Sequence, residues 1–201
     1  HDDRLLPAGL SGGQLDRVAR IDAGGRDRRL DRVELAVACD VTNPLTGPAG
    51  ASYVYGPQKG ATPQTAPILD DNLGHFAGLI ECYLGKQIAN LAGAGAAGGL
   101  GGGLVAFAGG KLTPGVELVI NATGLADRLR RADLCITGEG RLDGQSLYGK
   151  TAIGVARLAR SLNVPVIAIV GSAVEPAATQ AKHECLDDVF EIKPPEMELA
   201  E

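Results

Sequence analysis

The apolar residues of this chain follow two periods. Val33, Leu35, Val37 and Cys39 alternate with small or polar residues and end at Asp40, which predicts a strand carrying an acid to its carboxyl end. Over residues 63–84 the apolar positions Ile68, Leu69, Leu73, Phe76, Ala77, Leu79, Ile80 and Tyr83 recur at helical spacing. Thr62 is the expected N-cap of that helix and Pro63 its first residue. His75 falls off the densest face of the stripe and reads as a surface histidine. Further on, the pattern predicts a helix over 116–132, a strand over 133–137, a helix over 151–162, and strands over 164–170 and 189–192. Alternation of helix and strand predicts an α/β fold with a mostly parallel, doubly wound sheet and right-handed crossovers. Residues 2–31 are polar and glycine-rich, so loops and turns are expected there. No internal repeat is present.

Three polar loops interrupt these periods. The stretch 137–151 holds Glu139, Arg141, Asp143, Gln145 and Lys150 between the apolar run Leu134-Cys135-Ile136 and a helical pattern that begins near Ala152. It reads as a strand-loop-helix crossover at the carboxyl edge of the sheet, where open α/β sheets bind ligands. Gly144-Gln145-Ser146-Leu147-Tyr148-Gly149-Lys150-Thr151 also fits the G-x-x-x-x-G-K-[ST] pattern of a phosphate-cradling loop. Two features argue against that label: Gly138 to Asp143 intervene after the expected strand, and two carboxylates would repel a polyphosphate. A phosphate contact at Lys150, beside an expected helix N-terminus, stays open, as does a plain solvated lysine.

The second loop, Gly93-Ala94-Gly95-Ala96-Ala97-Gly98-Gly99-Leu100-Gly101-Gly102-Gly103, spells G-x-G-x-x-G, but only a weak strand candidate precedes it. It is expected to be either a ligand-cradling turn or a helix start packed closely on a neighbour. In the third, Cys39-Asp40-Val41-Thr42-Asn43-Pro44-Leu45-Thr46-Gly47, the Asn-Pro step forces a turn that gathers Asp40, Thr42 and Asn43. Tyr55-Gly56-Pro57-Gln58-Lys59-Gly60-Ala61 follows shortly.

Taken in order, Asp40-Val41-Thr42-Asn43-Pro44-Leu45, Gly56-Pro57-Gln58-Lys59-Gly60-Ala61, Gly93-Ala94-Gly95-Ala96-Ala97-Gly98-Gly99 and Thr137-Gly138-Glu139-Gly140-Arg141-Leu142-Asp143-Gly144-Gln145 resemble the successive signatures of the bacterial type I glycerate kinases. The likeness runs from about Leu10 to about Ile192. The resemblance implies ATP-dependent phosphorylation of D-glycerate with Mg²⁺. It also implies two domains with the active site in the cleft between them. Residues 1–112 would be part of an inserted α/β domain of restriction-endonuclease-like fold, and 113–201 part of a flavodoxin-like domain. The family's Ser-Phe-Lys-Gly, Ala-Asp-Gly-Gly-Glu-Gly and Gly-Gly-Ser-Ala-Thr-Asn-Asp-Gly-Gly motifs do not occur here, so the chain is expected to be the later part of such an enzyme.

Phosphoryl transfer needs an oriented hydroxyl, neutralised phosphate charge and a path for a proton. Asp40, Glu139 and Asp143 are the candidate catalytic acids, and Glu139 and Asp143 also the candidate Mg²⁺ ligands, since hard cations choose carboxylate oxygen. Arg141, with a planar fork suited to a carboxylate, joins Asn43 and Gln145 as substrate-binding candidates. Lys59, Lys150, Gly95, Gly98 and Gly99 are the phosphate or nucleotide candidates. The bland alternative for Glu139, Arg141 and Asp143 is an ion-pair network that merely fixes the loop.

Composition narrows the partners. A net charge of −5, 3% aromatic residues and no Trp leave little basic or stacking surface for nucleic acid. No apolar run is long enough for a membrane span. Cys39, Cys82, Cys135 and Cys185 show no C-x-x-C spacing and read as small buried hydrophobes in the reducing compartment of a cytoplasmic protein. The expected partner is a small molecule, and a homodimer is one assembly the chain could form. Two rival readings are a truncated, non-catalytic piece that keeps ligand binding, and a nicotinamide-dependent enzyme using Gly93, Gly95 and Gly98.

Overall fold

The computed structural model describes residues 6, 9–144, 146 and 151–192 of the 201-residue chain. Two compact units emerge, residues 1–113 and 114–201.

In the first unit, short β1 (Ala36–Ala38) pairs in parallel with β2 (Lys111–Thr113), Val37 opposite Leu112. The Cys39 N–H adds one more bond to the Thr113 carbonyl at 2.9 Å, so the pairing reaches to the residue before Asp40. β2 was not legible in the sequence, because three residues are too few to show a period. After one turn of helix, α1 (Ala51–Val54), comes the long α2 (Thr65–Leu84). The helix begins two residues later than the sequence suggested, at Thr65 with Gln64 as N-cap, and the reciprocal bonds of Thr62 precede it: the Thr62 hydroxyl accepts from the Thr65 N–H, and the Thr65 hydroxyl accepts from the Thr62 N–H. Gly85 ends the helix at φ 64°, its N–H bonded to the Glu81 carbonyl. Ala66, Ala77 and Ile80 lie buried on one face of α2. Ala77 and Ile80 form the unit's core with Leu45, Ile88 and Ala94, flanked by Phe76 stacked on Phe107 at 6.2 Å between centroids. His75 is exposed and its Nε2 meets the Val18 carbonyl at 2.7 Å.

The second glycine-rich loop becomes α3 (Ala96–Ala108), but Ala97, Gly98 and Gly99 inside it have φ of 53°, 76° and 104°. Those residues form a left-handed kink, and regular helix begins after them. The close-packing reading has its counterpart here. A Cβ on Gly95 would collide with the Pro44 carbonyl oxygen, and one on Gly93 would lie 2.8 Å from Cys39 Sγ, so this loop packs directly against the Asp40-to-Pro44 segment. The residues 85–90 before it are not a strand, which removes the context a dinucleotide fingerprint requires.

In the second unit, β3 (Cys135–Leu142), β4 (Val166–Ala173) and β5 (Asp188–Glu191) form a sheet in that order, every pair parallel. α6 (Thr151–Ser161) and α7 (Ala177–Glu184) are the crossovers. Ala152, Ile153, Ala156 and Ala159 of α6 are buried while Arg157 and Arg160 face out, as its apolar spacing requires. The helix expected over 116–132 is in fact two, α4 (Gly115–Thr123) and α5 (Leu125–Leu129), because Gly124 turns left-handed at φ 61°. α4 comes close to α6: a Cβ on Gly154 would lie 2.7 Å from Val116 Cγ2.

α5, α6 and α7 pack on one face of the sheet, against Cys135, Val166, Ala168 and Val170, with α4 lying against α5 and α6. On the other face, Ile136, Ile169 and Phe190 remain 60%, 39% and 50% exposed, with Ile192 just beyond at 67%. Their register, Gly138 beside Ile169 beside Phe190, lines them up as a continuous apolar surface.

Candidate active site

The first unit carries an open cavity of about 400 Å³. Tyr55, Gly56, Lys59 and Gly60 approach it from one side, Thr65, Leu69 and Leu73 of α2 from another, and Ala97 and Gly98 from the kink in α3. Local chain geometry explains the first side. Residues Pro57–Lys59 form a single 3-10 turn closed by Gly60 at φ 92°, and Gly56 cannot carry a side chain because its Cβ would collide with the Ser52 carbonyl oxygen. Lys59 is thereby held so that Nζ lies 3.5 Å from where a Gly98 Cβ would stand. No ion pair among the described residues involves Lys59.

Asn43 does not present its amide to that cavity. Its Nδ2 donates to the Ala49 carbonyl at 2.9 Å, and its Oδ1 accepts the Tyr55 hydroxyl at 2.7 Å. It therefore ties the Asn-Pro turn to the residue that lines the cavity. Tyr55, absent from the sequence-derived candidates, was signalled only by its place directly ahead of the Gly56-Pro57 step. Asp40 stands exposed two residues past the end of β1. The glycines bind through close approach more than through their N–H groups: Gly95 N donates to the Asn43 carbonyl, and Gly98 N and Gly99 N both donate to the Gly95 carbonyl. A phosphate nest built from those three donors is thus not available.

In the second unit, the stretch read as one loop is half strand. β3 continues through Gly138 to Leu142, with Glu139 opposite Val170 and Arg141 opposite Ser172. The glycines that looked like punctuation permit the pairing, because a Cβ on Gly138 would strike the Ile169 carbonyl oxygen and one on Gly171 the Gly140 carbonyl oxygen. Strand alternation puts Thr137 and Glu139 on one side of the sheet, the side on which the Thr137 hydroxyl meets the Ala152 carbonyl of α6 at 3.5 Å; at the strand end Leu142 turns into the same helix-covered core and Arg141 is exposed. Asp143 follows immediately. Its Oδ1 accepts the Ser146 N–H at 3.3 Å while the buried Ser146 hydroxyl accepts the Asp143 N–H and donates to the Arg141 carbonyl, both at 3.2 Å. This reciprocal turn fixes the carboxylate where the strand ends. No ion pair among the described residues joins Arg141 to Glu139 or Asp143. Gln145 and Lys150 lie outside the described residues.

The strand boundary corrects one argument against a phosphate loop. Gly144 sits two residues after Leu142, and α6 opens at Thr151, so strand, G-x-x-x-x-G-K-T and helix do succeed one another. What still opposes it is the charge of Glu139 and Asp143. At the head of β3, burial pushes the Cys135 thiol up from its ordinary value, and Cys185 is raised for the same reason, so both behave as small apolar core residues. None of the four cysteines forms a disulfide.

Acids and an arginine stand at the carboxyl end of a parallel strand, the edge at which open α/β sheets bind ligands. The sequence matches the glycerate kinase family over residues 1–201. It is 53% identical over 195 residues to a glycerate kinase of Halalkalibacterium halodurans, covering 97% of this chain and 51% of that one. With the glycerate 2-kinase of Escherichia coli it shares 45% identity, covering 92% of this chain and 48% of the other. A crystal structure from Salmonella typhimurium LT2, whose protein carries the provisional name glycerate kinase 2, superimposes with a TM-score of 0.75 at 48% identity, over 90% of this chain and 46% of that one. The chain belongs to the glycerate kinase family and spans about half the length of these relatives.

Proposed function

We propose that the protein acts in the ATP-dependent phosphorylation of D-glycerate. The observation that carries this is the carboxyl end of β3, where Glu139 and Asp143 flank an Arg141 that neither of them ion-pairs. An arginine so placed can grip the glycerate carboxylate with its planar fork, which fixes the sugar acid's hydroxyl relative to the two acids. Glu139 or Asp143 then accepts the hydroxyl proton as the oxygen attacks the γ-phosphorus and the ADP oxygen leaves. Lys59 supplies positive charge for the phosphates, Lys150 is the second candidate for that task, and Asp40 is the acid the first unit contributes.

Mg²⁺ fits the same pair of acids. Among the described residues no three metal-ligating side chains converge, and Mg²⁺ commonly takes only one or two carboxylates, completing its shell with water and phosphate oxygens. Glu139 and Asp143 would hold it, and it would neutralise charge on the transferring phosphoryl group.

No described helix is long and apolar enough to cross a membrane. A small-molecule partner and a reducing, cytoplasmic setting agree with four cysteines outside any disulfide. The nicotinamide reading loses its basis with the strand missing before Gly93. The span of about half of each relative sustains a second reading, in which the chain binds its ligands without turnover.

Coupled measurement of ADP release with D-glycerate separates these. Glu139→Gln and Asp143→Asn are expected to lower kcat roughly a hundredfold or more. Near-normal turnover in both variants removes the acids from the mechanism. ATP and D-glycerate binding with no ADP release in the unaltered protein selects the second reading.

A further inference from the structure

We infer that the cavity between Lys59 and α2 in the first unit is the nucleotide pocket, taking the base of ATP against its aliphatic wall and the polyphosphate at Lys59; this assignment rests on the phosphotransfer reading above. The first argument is a mismatch with the other substrate. D-glycerate offers a carboxylate and two hydroxyls on three carbons and has almost no apolar surface. In a cavity of about 400 Å³ walled by Leu69, Leu73, Ala61 and Ala97 it would leave most of the apolar lining in water. A purine ring covers such a wall, and Gly98, lacking a side chain, lets a flat ring come close to the backbone.

The second argument is the polar rim. Lys59 brings a compact ammonium on a flexible stem, which suits a string of phosphate oxygens better than a planar carboxylate, and no described acid neutralises it. With the N–H groups of Gly98 and Gly99 already bonded to the Gly95 carbonyl, the phosphates have no backbone cradle on this side, which makes Lys59 their main contact there. Tyr55 also lines the cavity, with its hydroxyl proton given to Asn43 Oδ1.

Calorimetric titration of the purified protein with ATP, inorganic tripolyphosphate and D-glycerate tests this. Lys59→Met should raise the Kd for ATP and for tripolyphosphate about tenfold or more, and Lys59→Arg should restore most of the loss. Leu69→Ala should weaken ATP several-fold, leave tripolyphosphate within about twofold, and leave D-glycerate unchanged. Circular dichroism confirms that each variant is folded; should Leu69→Ala not fold, Lys59→Met and Lys59→Arg on their own decide between the outcomes. The inference is overturned if Lys59→Met leaves ATP affinity intact, if it weakens D-glycerate instead, or if the unaltered protein binds no ATP. The kinase reading fails separately: the variant pattern with ATP can hold while D-glycerate draws no ADP release, which upholds the pocket and removes the reaction.

Discussion

Arg141 shows how much one residue's neighbours decide. The sequence could name it as a carboxylate fork or as one member of an ion-pair cluster; in the structure no ion pair among the described residues joins it to Glu139 in β3 or to Asp143 just past the strand's end, which favours the first. Arg141→Lys keeps the charge but loses the bidentate geometry, so steady-state kinetics should show KM for D-glycerate rising about tenfold while KM for ATP stays within about twofold. The opposite split would move Arg141 to the nucleotide. Asn43 teaches the reverse lesson. Its turn was legible from the following proline, but the two partners that occupy its amide, the Ala49 carbonyl and the Tyr55 hydroxyl, are brought to it by the chain's return through α1. Asn43→Ala leaves both without their bond and should lower stability by about 1–3 kcal/mol, read from urea unfolding; an unchanged midpoint would show that the turn is held by other bonds.

At the scale of elements, the long periods were legible and the exceptions were set by contacts between distant segments. α2 and α6 followed from apolar spacing because each buries a single stripe. β3 was read too short because Gly138 and Gly140 weaken strand propensity, whereas pairing with β4, itself carrying Gly171 opposite, requires residues without side chains there. The corrected β3 boundary makes the fate of Thr151 a sharper question. If Thr151 only starts α6, Thr151→Val should cost about 1 kcal/mol or less and leave Mg-ATP affinity within a few fold by calorimetry. Loss of Mg-ATP binding in the folded variant would establish a phosphate loop after all. α6 and α7 are also tied directly, Arg157 donating to Glu184 at 2.8 Å. That bond, helped by Gln180, holds the Glu184 carboxyl below the usual range. A depressed carboxylate stabilises above its unfolded pKa and loses that contribution as pH falls through its folded one. The stability gap between the protein and its Glu184→Gln variant should accordingly close as thermal melts move from neutral into the acid range, and a constant gap would mean the charge contributes nothing.

Across the whole chain, two units each organise a polar strand end or cavity, and their loop motifs were readable because glycine, proline and charge leave local marks. The one-sided cover of the second sheet was not readable, since a buried strand and one with a bare face carry the same apolar run. Parallel sheets ordinarily have both faces covered. Ile136, Ile169 and Phe190 on the bare face should therefore drive copies of this chain together, and sedimentation should find less self-association in an Ile136→Thr, Phe190→Ser double variant. The same bare face has a thermodynamic signature. Denaturant sensitivity and the heat capacity of unfolding both scale with surface newly wetted when the chain opens, and here part of that surface is wet before unfolding begins. For the monomer, the second unit should yield a shallower urea slope and a smaller heat-capacity step than an α/β segment of its length with both faces covered. Its melting temperature would then shift widely for small changes in stability.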